Sequence, residues 1–296
     1  MATLVGPRRL ARRGRAPARR RSRPVIPRLV NGLPNVMSRG ALVLDLQTGE
    51  ELYARAADAP RPIASISKLA ATLAVLSAGL DLDGITRMTE VDRQVAAGGA
   101  RSRLLIGFEL SNRDLLYAAL LGSDNRAVSA LGRAVGLDAR ALAARMTAEA
   151  RALGLRATRF LEPTGLSYGN VSTPREVIVL LRAVLDHPVL GPITRSFEHE
   201  IRPRGRAPIR YVNTHRRADR ANARVFGGKT GYNDAARYCL VVAAEVGDRS
   251  VVMAFLGAEG KLTRFADVGR VADWVVTREG GERLVASPGP ARASLN

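Results

Sequence analysis

The 296-residue chain carries 46 Lys and Arg against 27 Asp and Glu, a formal net charge of +19, with 46% hydrophobic residues and one cysteine, Cys239. Such a length holds one well-packed α/β domain or two lobes sharing a core, and no apolar run reaches the roughly 18–20 residues of a membrane helix. A single cysteine excludes an intramolecular disulfide, and His187, His199 and His215 are scattered without metal-ligand spacing.

Ten arginines and no acidic residue lie between Met1 and Val30. An Arg/Pro/Ala stretch of this kind cannot bury a core, which predicts disorder over residues 1–34. It has the positive start of a secretory signal without the apolar stretch that should follow. Three readings stand for it: a start codon assigned too early, a degenerate export signal, or a basic arm for an anionic partner.

Beyond it, Gly40–Asp45 and Glu51–Ala54 flank a glycine-containing turn and predict a hairpin. Pro60 and Pro62 break the chain, and a nearly all-apolar helix is predicted from Ser65 to about Ala78, buried on all sides. Ser111 begins a capping-box-like stretch before Leu115–Leu121, a second helix runs from Asn125 to Val135, and Asp138 can cap a third to Leu153. Thr173-Pro174-Arg175-Glu176 combines cap, N1 proline and N3 acid ahead of a helix to Asp186. The last third turns to strands. Phe197–Arg202 and Pro208–Tyr211 read as a hairpin, then Val225–Gly231, Arg237–Glu245 and Ser250–Leu256 as consecutive strands. A final helix spans Thr263 to about Val276, with loop after Gly280. Strands at both ends with helices between them predict an α+β fold: an antiparallel sheet built from both chain ends, flanked by helices, with an all-helical lobe inserted.

Lysine occupies only positions 68, 229 and 261; the other 43 basic residues are arginine. Lys68 ends Ser65-Ile66-Ser67-Lys68, Lys229 begins Lys229-Thr230-Gly231, and Ser123-Asp124-Asn125 lies between them. Chance would put lysine at both motif positions roughly three times in a thousand, and arginine, unlike a desolvated lysine, cannot give up its proton. Ser65 and Lys68, three apart at a helix start, share a face, so Lys68 can take the Ser65 proton if burial lowers its pKa. Ser123 can relay a proton and Asn125 can hold a carbonyl, although Ser123 or Asp124 is equally at home as a helix N-cap. Lys229-Thr230-Gly231, at a predicted strand end, offers Lys229 and Thr230 to a carboxylate, main-chain groups to an extended peptide, and the Tyr232 N–H as an oxyanion donor. Cys239, in an apolar run, reads as a buried inert thiol.

The three motifs together form the set of class A β-lactamases and penicillin-binding proteins. With Pro62–Leu69, Leu120–Ala127, Glu162-Pro163-Thr164-Gly165-Leu166, Asn170-Val171-Ser172 and Gly228–Tyr232, the chain resembles the low-molecular-mass penicillin-binding proteins, the D-alanyl-D-alanine carboxypeptidases and endopeptidases, and most of all the penicillin-binding protein 7 endopeptidase type, over about residues 35–280. The resemblance implies a β-lactamase/transpeptidase-like domain over 35–283, with a loose tail over 284–296. It implies a serine peptidase acting on peptidoglycan stem peptides, with Ser65 as nucleophile, Lys68 as base and Ser123 passing the proton to the leaving amine. Asn125, Thr230 and Lys229 would bind substrate, Gly231 lies within the same motif, and the Ser65 and Tyr232 N–H groups would form the oxyanion hole. β-Lactams would be inhibitors; no cofactor, metal or specific nucleic acid is implied, and the location would be periplasmic or extracytoplasmic, with peripheral contact of the arginine-rich tail with anionic polymer or membrane left open. The rival is a class A-like β-lactamase, but its ExxLN element is broken here: Gly165 and Leu166 stand where Leu and Asn belong. A basic polyanion-binding protein on an inactive peptidase scaffold would explain the arginines but not the two motif lysines.

Overall fold

The computed structural model describes residues 28–286, with side chains to residue 278. Five strands form one antiparallel sheet: β1 (Gly40–Asp45), β2 (Glu51–Arg55), β3 (Arg224–Asn233), β4 (Arg237–Val246) and β5 (Arg249–Ala258), in the order β3-β4-β5-β1-β2. Both ends of the chain therefore supply the sheet, joined where β5 pairs β1 with Val252 opposite Leu44 and Ala254 opposite Leu42. Alternate residues along a strand face opposite sides, and here both sides are dry. Leu42, Val241, Ala243, Val252 and Ala254 pack toward the helical lobe. Val43, Leu240, Val242, Met253 and Phe255 pack on Val268, Val271, Ala272 and Val275 of the final helix, α6 (Thr263–Ala286).

Between the two halves of the sheet come α1 (Lys68–Ser77), α2 (Asn112–Leu120), α3 (Asn125–Ala134), α4 (Ala139–Ala152) and α5 (Pro174–Asp186). Their starts follow the sequence: Ser111, Asp124, Asp138 and Thr173 each accept main-chain N–H groups of the helix they begin, and each such cap contributes about 1 kcal/mol. Helix α1 runs through the middle of the molecule with Leu69, Ala70, Ala71, Ala74 and Val75 out of solvent. The predicted start of this helix, from Ser65, falls instead in a tighter 3-10 turn, Ala64–Ser67. Ala64 is left-handed there (φ 47°), and Ser67 Oγ donates to the Ala64 carbonyl at 2.8 Å.

The structure corrects three boundaries. Residues 28–34 belong to the ordered fold, not to a disordered segment: Leu29–Val30 pairs with Leu33–Pro34 across Asn31-Gly32, both at positive φ. Asn-Gly is the strongest short hairpin signal, and Trp274 Nε1 fastens the turn by donating to the Gly32 carbonyl at 2.9 Å. The remainder of that expectation, residues 1–27, lies outside the described residues. Helix α6 continues to Ala286, past the predicted loop after Gly280 and the boundary at 283; two glycines weaken a helix by about 1 kcal/mol each without ending it. Residues 287–296 of the expected tail are likewise outside the described residues. Finally, Lys229-Thr230-Gly231 sits within β3 rather than at its end, because pairing continues to Asn233 opposite Arg237. Among the described residues no helix is long and apolar enough to cross a membrane.

Candidate active site

Ser65 lies in the 3-10 turn and Lys68 opens α1, so the three-residue spacing places Lys68 Nζ 2.9 Å from Ser65 Oγ. Lys68 is completely buried and also donates to the main-chain carbonyl of Thr164. Burial pushes its pKa down to about 8, against the opposing pull of the Glu162 and Asp124 carboxylates. With one N–H held by a carbonyl, a neutral Lys68 turns its lone pair toward the Ser65 hydroxyl. That is the geometry of a general base beside a nucleophile.

Ser123 is held left-handed (φ 57°), a conformation that costs a serine of order 1 kcal/mol, and its Oγ accepts from Lys229 Nζ at 2.8 Å. Asp124 is the N-cap of α3, accepting from Arg126 N at 3.0 Å and Ala127 N at 3.3 Å through one oxygen. Its other oxygen accepts from Ser102 Oγ at 2.7 Å and Tyr211 OH at 2.9 Å. The cap and its further bonds anchor Asp124 and so fix the positions of its two neighbours, Ser123 and Asn125. Asn125 is buried, its Oδ1 has no partner among the described residues, and Gly99 lies so close that a Cβ there would stand 2.2 Å from Asn125 Nδ2. A buried carboxamide oxygen without a donor is costly unless a ligand N–H supplies one.

Strand β3 closes the other side. Lys229 is fully buried and is pushed well below its usual pKa, first by desolvation and then by Lys68 and Arg264. It donates to the Thr230 carbonyl at 3.0 Å as well as to Ser123. Thr230 Oγ1 donates to Thr214 Oγ1 at 2.8 Å. Gly231 is required by proximity: a Cβ there would lie 2.7 Å from the Ile63 carbonyl and 3.2 Å from Ser65 N. The Tyr232 side chain is half exposed and stacks on Tyr238 at 4.3 Å. Because β3 is an edge strand, its outer main chain runs past Ser65.

Ser65–Lys68 and Ser123–Lys229 are thus two hydroxyl–amine pairs on facing walls, with Asn125, Thr230 and Gly231 between them and the Tyr232 main chain following. Four contributors escaped the sequence reading. Thr164 acts through a carbonyl, which any residue carries. Tyr211 comes from the second strand of the hairpin Glu198–Ile201 and Ile209–Val212, and Thr214 from the turn just after it. Arg264, 7% exposed at the start of α6, donates to the Gly231 carbonyl at 3.2 Å and lies over the Tyr238 ring; in an arginine-rich chain nothing singled it out. Lys261, the third lysine, is exposed.

The sequence matches the peptidase S11 family, described as D-alanyl-D-alanine carboxypeptidase, over residues 29–260. The chain belongs to this family. A D-alanyl-D-alanine endopeptidase of Escherichia coli (strain K12) is 36% identical over 247 residues, 82% of this chain and 79% of that protein. Another, from Pseudomonas aeruginosa, is 35% identical over 266 residues, 88% of this chain and 84% of its own. Among solved structures, a D-alanyl-D-alanine carboxypeptidase from Mycobacterium tuberculosis H37Rv superposes with a TM-score of 0.73 at 29% identity, covering 83% of this chain and 93% of that one. The Streptomyces K15 DD-transpeptidase shares the fold, with a TM-score of 0.72 at 24% identity over 83% of this chain and 99% of that chain. The protein is a serine-type D-alanyl-D-alanine peptidase, a hydrolase of the penicillin-binding group. The family consists of extracytoplasmic enzymes that act on peptidoglycan peptides and bind penicillin-type inhibitors.

Proposed function

We propose that this peptidase hydrolyses D-alanyl bonds in cross-linked peptidoglycan stem peptides, with Ser65 as nucleophile and Lys68 as its base. The observation that carries the reading is the Ser65 Oγ–Lys68 Nζ pair at 2.9 Å, on a lysine that burial brings to about 8. Ser65 Oγ attacks the D-alanyl carbonyl carbon while Lys68 Nζ takes the hydroxyl proton. The oxyanion is met by the Ser65 and Tyr232 N–H groups. As the C–N bond breaks, Ser123 passes its proton to the leaving amine and regains one from Lys68, which becomes neutral again, while Lys229 holds the Ser123 oxygen. Water then attacks the Ser65 ester, giving a proton to Lys68; as the intermediate collapses Lys68 returns that proton to Ser65 Oγ, and the product acid leaves and ionises in water. Asn125 and Thr230 orient the peptide, laid along the free edge of β3.

Cleavage of cross-links in preference to terminal D-alanine is supported by two endopeptidase relatives at 35–36% identity, with a third at 29%, against 26–30% for the carboxypeptidase relatives. The site of action would be outside the cytoplasmic membrane. The nine arginines of residues 1–27 would add attraction to anionic wall polymer or membrane, seen as salt-sensitive binding that is lost when residues 1–27 are deleted. The decisive experiment incubates the protein and its Ser65→Ala variant with fluorescent penicillin and with defined dimeric and monomeric muropeptides. Covalent labelling and dimer cleavage are expected only in the wild type. Labelling that survives Ser65→Ala would remove Ser65 as nucleophile, and release of terminal D-alanine without dimer cleavage would replace endopeptidase by carboxypeptidase.

A further inference from the structure

Glu162 stands where a β-lactamase-like loop would offer its deacylating base, and its surroundings give it other work. Oxygen Oε1 accepts from Gly165 N at 2.6 Å, Ser167 N at 3.1 Å and Asn170 Nδ2 at 3.1 Å. Oxygen Oε2 accepts from Thr164 N at 2.7 Å and Thr164 Oγ1 at 2.6 Å. A carboxylate offers about four lone-pair sites, so five donors leave none with which to activate water.

The same bonds shape the segment that touches Lys68. Four of the five donors belong to Thr164, Gly165 and Ser167, and the fifth, Asn170, is buried and donates in addition to Ser67 Oγ at 3.1 Å, next to Lys68 in sequence. Gly165 (φ 90°) lies so close to the nucleophile's turn that a Cβ would meet the Ala64 carbonyl at 2.3 Å. The loop is therefore clamped to the Ser65 turn, with the Thr164 carbonyl on Lys68 Nζ.

We propose that Glu162 is a positioning residue for the acylation step: it folds residues 162–170 so that the Thr164 carbonyl holds Lys68 Nζ against Ser65, and it takes no part in deacylation. The proposal rests on the roles given above to Ser65 and Lys68. Its negative charge has a second effect. The charged groups facing Lys68 are Glu162 from this loop, Asp124 from the start of α3 and Lys229 from β3, with Arg264 of α6 acting on Lys229. Desolvation disfavours the protonated amine of Lys68 while Glu162 and Asp124 favour it, so removing the Glu162 charge makes Lys68 a weaker base.

The test measures the second-order rate constant for acylation by fluorescent penicillin from pH 5.5 to 9.5, together with adduct lifetime and thermal stability. Glu162→Gln keeps the size but turns an NH2 toward main-chain donors. Its high-pH plateau is expected to fall at least tenfold, its acid limb to move to lower pH, and its adduct lifetime to stay within twofold of wild type. Glu162→Asp, which keeps the charge and perturbs folding less, should hold the limb at the wild-type pH with an intermediate plateau. A folded Glu162→Gln with plateau and limb unchanged overturns the proposal. So does a loss of thermal stability with the limb unmoved, which would mark a purely structural carboxylate, and so does an adduct living more than tenfold longer, which would make Glu162 the deacylating base. A wild type that is not acylated at Ser65 fails the underlying reading instead, and the two failures are separable because the wild-type arm is measured first.

Discussion

Replacing Lys68 by methionine separates what its burial costs from what it enables. The side chain is wholly enclosed, and its pKa falls from 10.5 to about 8, chiefly through desolvation. At about 1.4 kcal/mol per pH unit, that depression costs the folded protein about 3 kcal/mol at pH 7. Methionine fills a similar volume without charge but gives up the bonds to Ser65 and the Thr164 carbonyl, at about 1 kcal/mol net. A gain of about 2 kcal/mol remains, equivalent to roughly 4–8 °C in Tm for a domain of this order of size. Loss of the Lys68 charge also relieves Lys229, which acts in the same direction. The sign has a pH signature. Below about 8 Lys68 is charged in both states and its penalty is complete; between about 8 and 10.5 the unfolded chain holds a proton that the folded one has lost, and the penalty fades. Calorimetry of wild type and Lys68→Met from pH 6.5 to 9.5 should find the variant more stable, by a margin that shrinks as pH rises. Acylation by penicillin should fall by roughly 10²–10⁴, the contribution typical of general base catalysis. A variant no more stable than wild type at pH 7, or a margin independent of pH, refutes the desolvation argument; retained acylation refutes the base assignment.

Wild-type acylation should rise about tenfold per pH unit up to about 8 and then level, as Lys68 loses its proton; stopped-flow labelling with a limb near pH 10 would refute this. Gly231→Ala puts a Cβ 2.7 Å from the Ile63 carbonyl, so β3 must draw back from Ser65, and penicillin labelling should slow at least a hundredfold at high pH. Asp267, buried, accepts from Met37 N at 2.9 Å, Ser38 N at 2.9 Å, Ser38 Oγ at 2.7 Å and Arg270 Nη1 at 2.7 Å. Asp267→Ala should therefore cost about 3–5 kcal/mol in urea unfolding, while the folded fraction labels at the wild-type rate.

The frame of the molecule was legible because its signals are local. Ser111, Asp124, Asp138 and Thr173 begin helices through bonds to residues two or three positions on. Apolar runs such as Cys239–Ala244 lie dry on both faces of the sheet, as their composition implies. Where the reading went astray, a local signal was passed over or the neighbours were distant. Asn31-Gly32 was a hairpin turn inside a stretch read by composition, and β3 outruns its motif because Arg237–Val246 is there to pair with it.

Composition and spacing alone determined that two scarce lysines sit in Ser65–Lys68 and Lys229–Gly231, that Ser65 and Lys68 share a helix face, and that both chain ends build one sheet. Only the tertiary structure decided what those lysines are chemically. The Thr164 carbonyl reaches Lys68 from 96 positions away and Ser123 meets Lys229 across 106, contacts that no spacing rule anticipates. Exclusion of water lowers the pKa of both lysines, Glu162 and Asp124 opposing it at Lys68 and Arg264 adding to it at Lys229. Burial and long-range charge exist only once the chain has closed around the site.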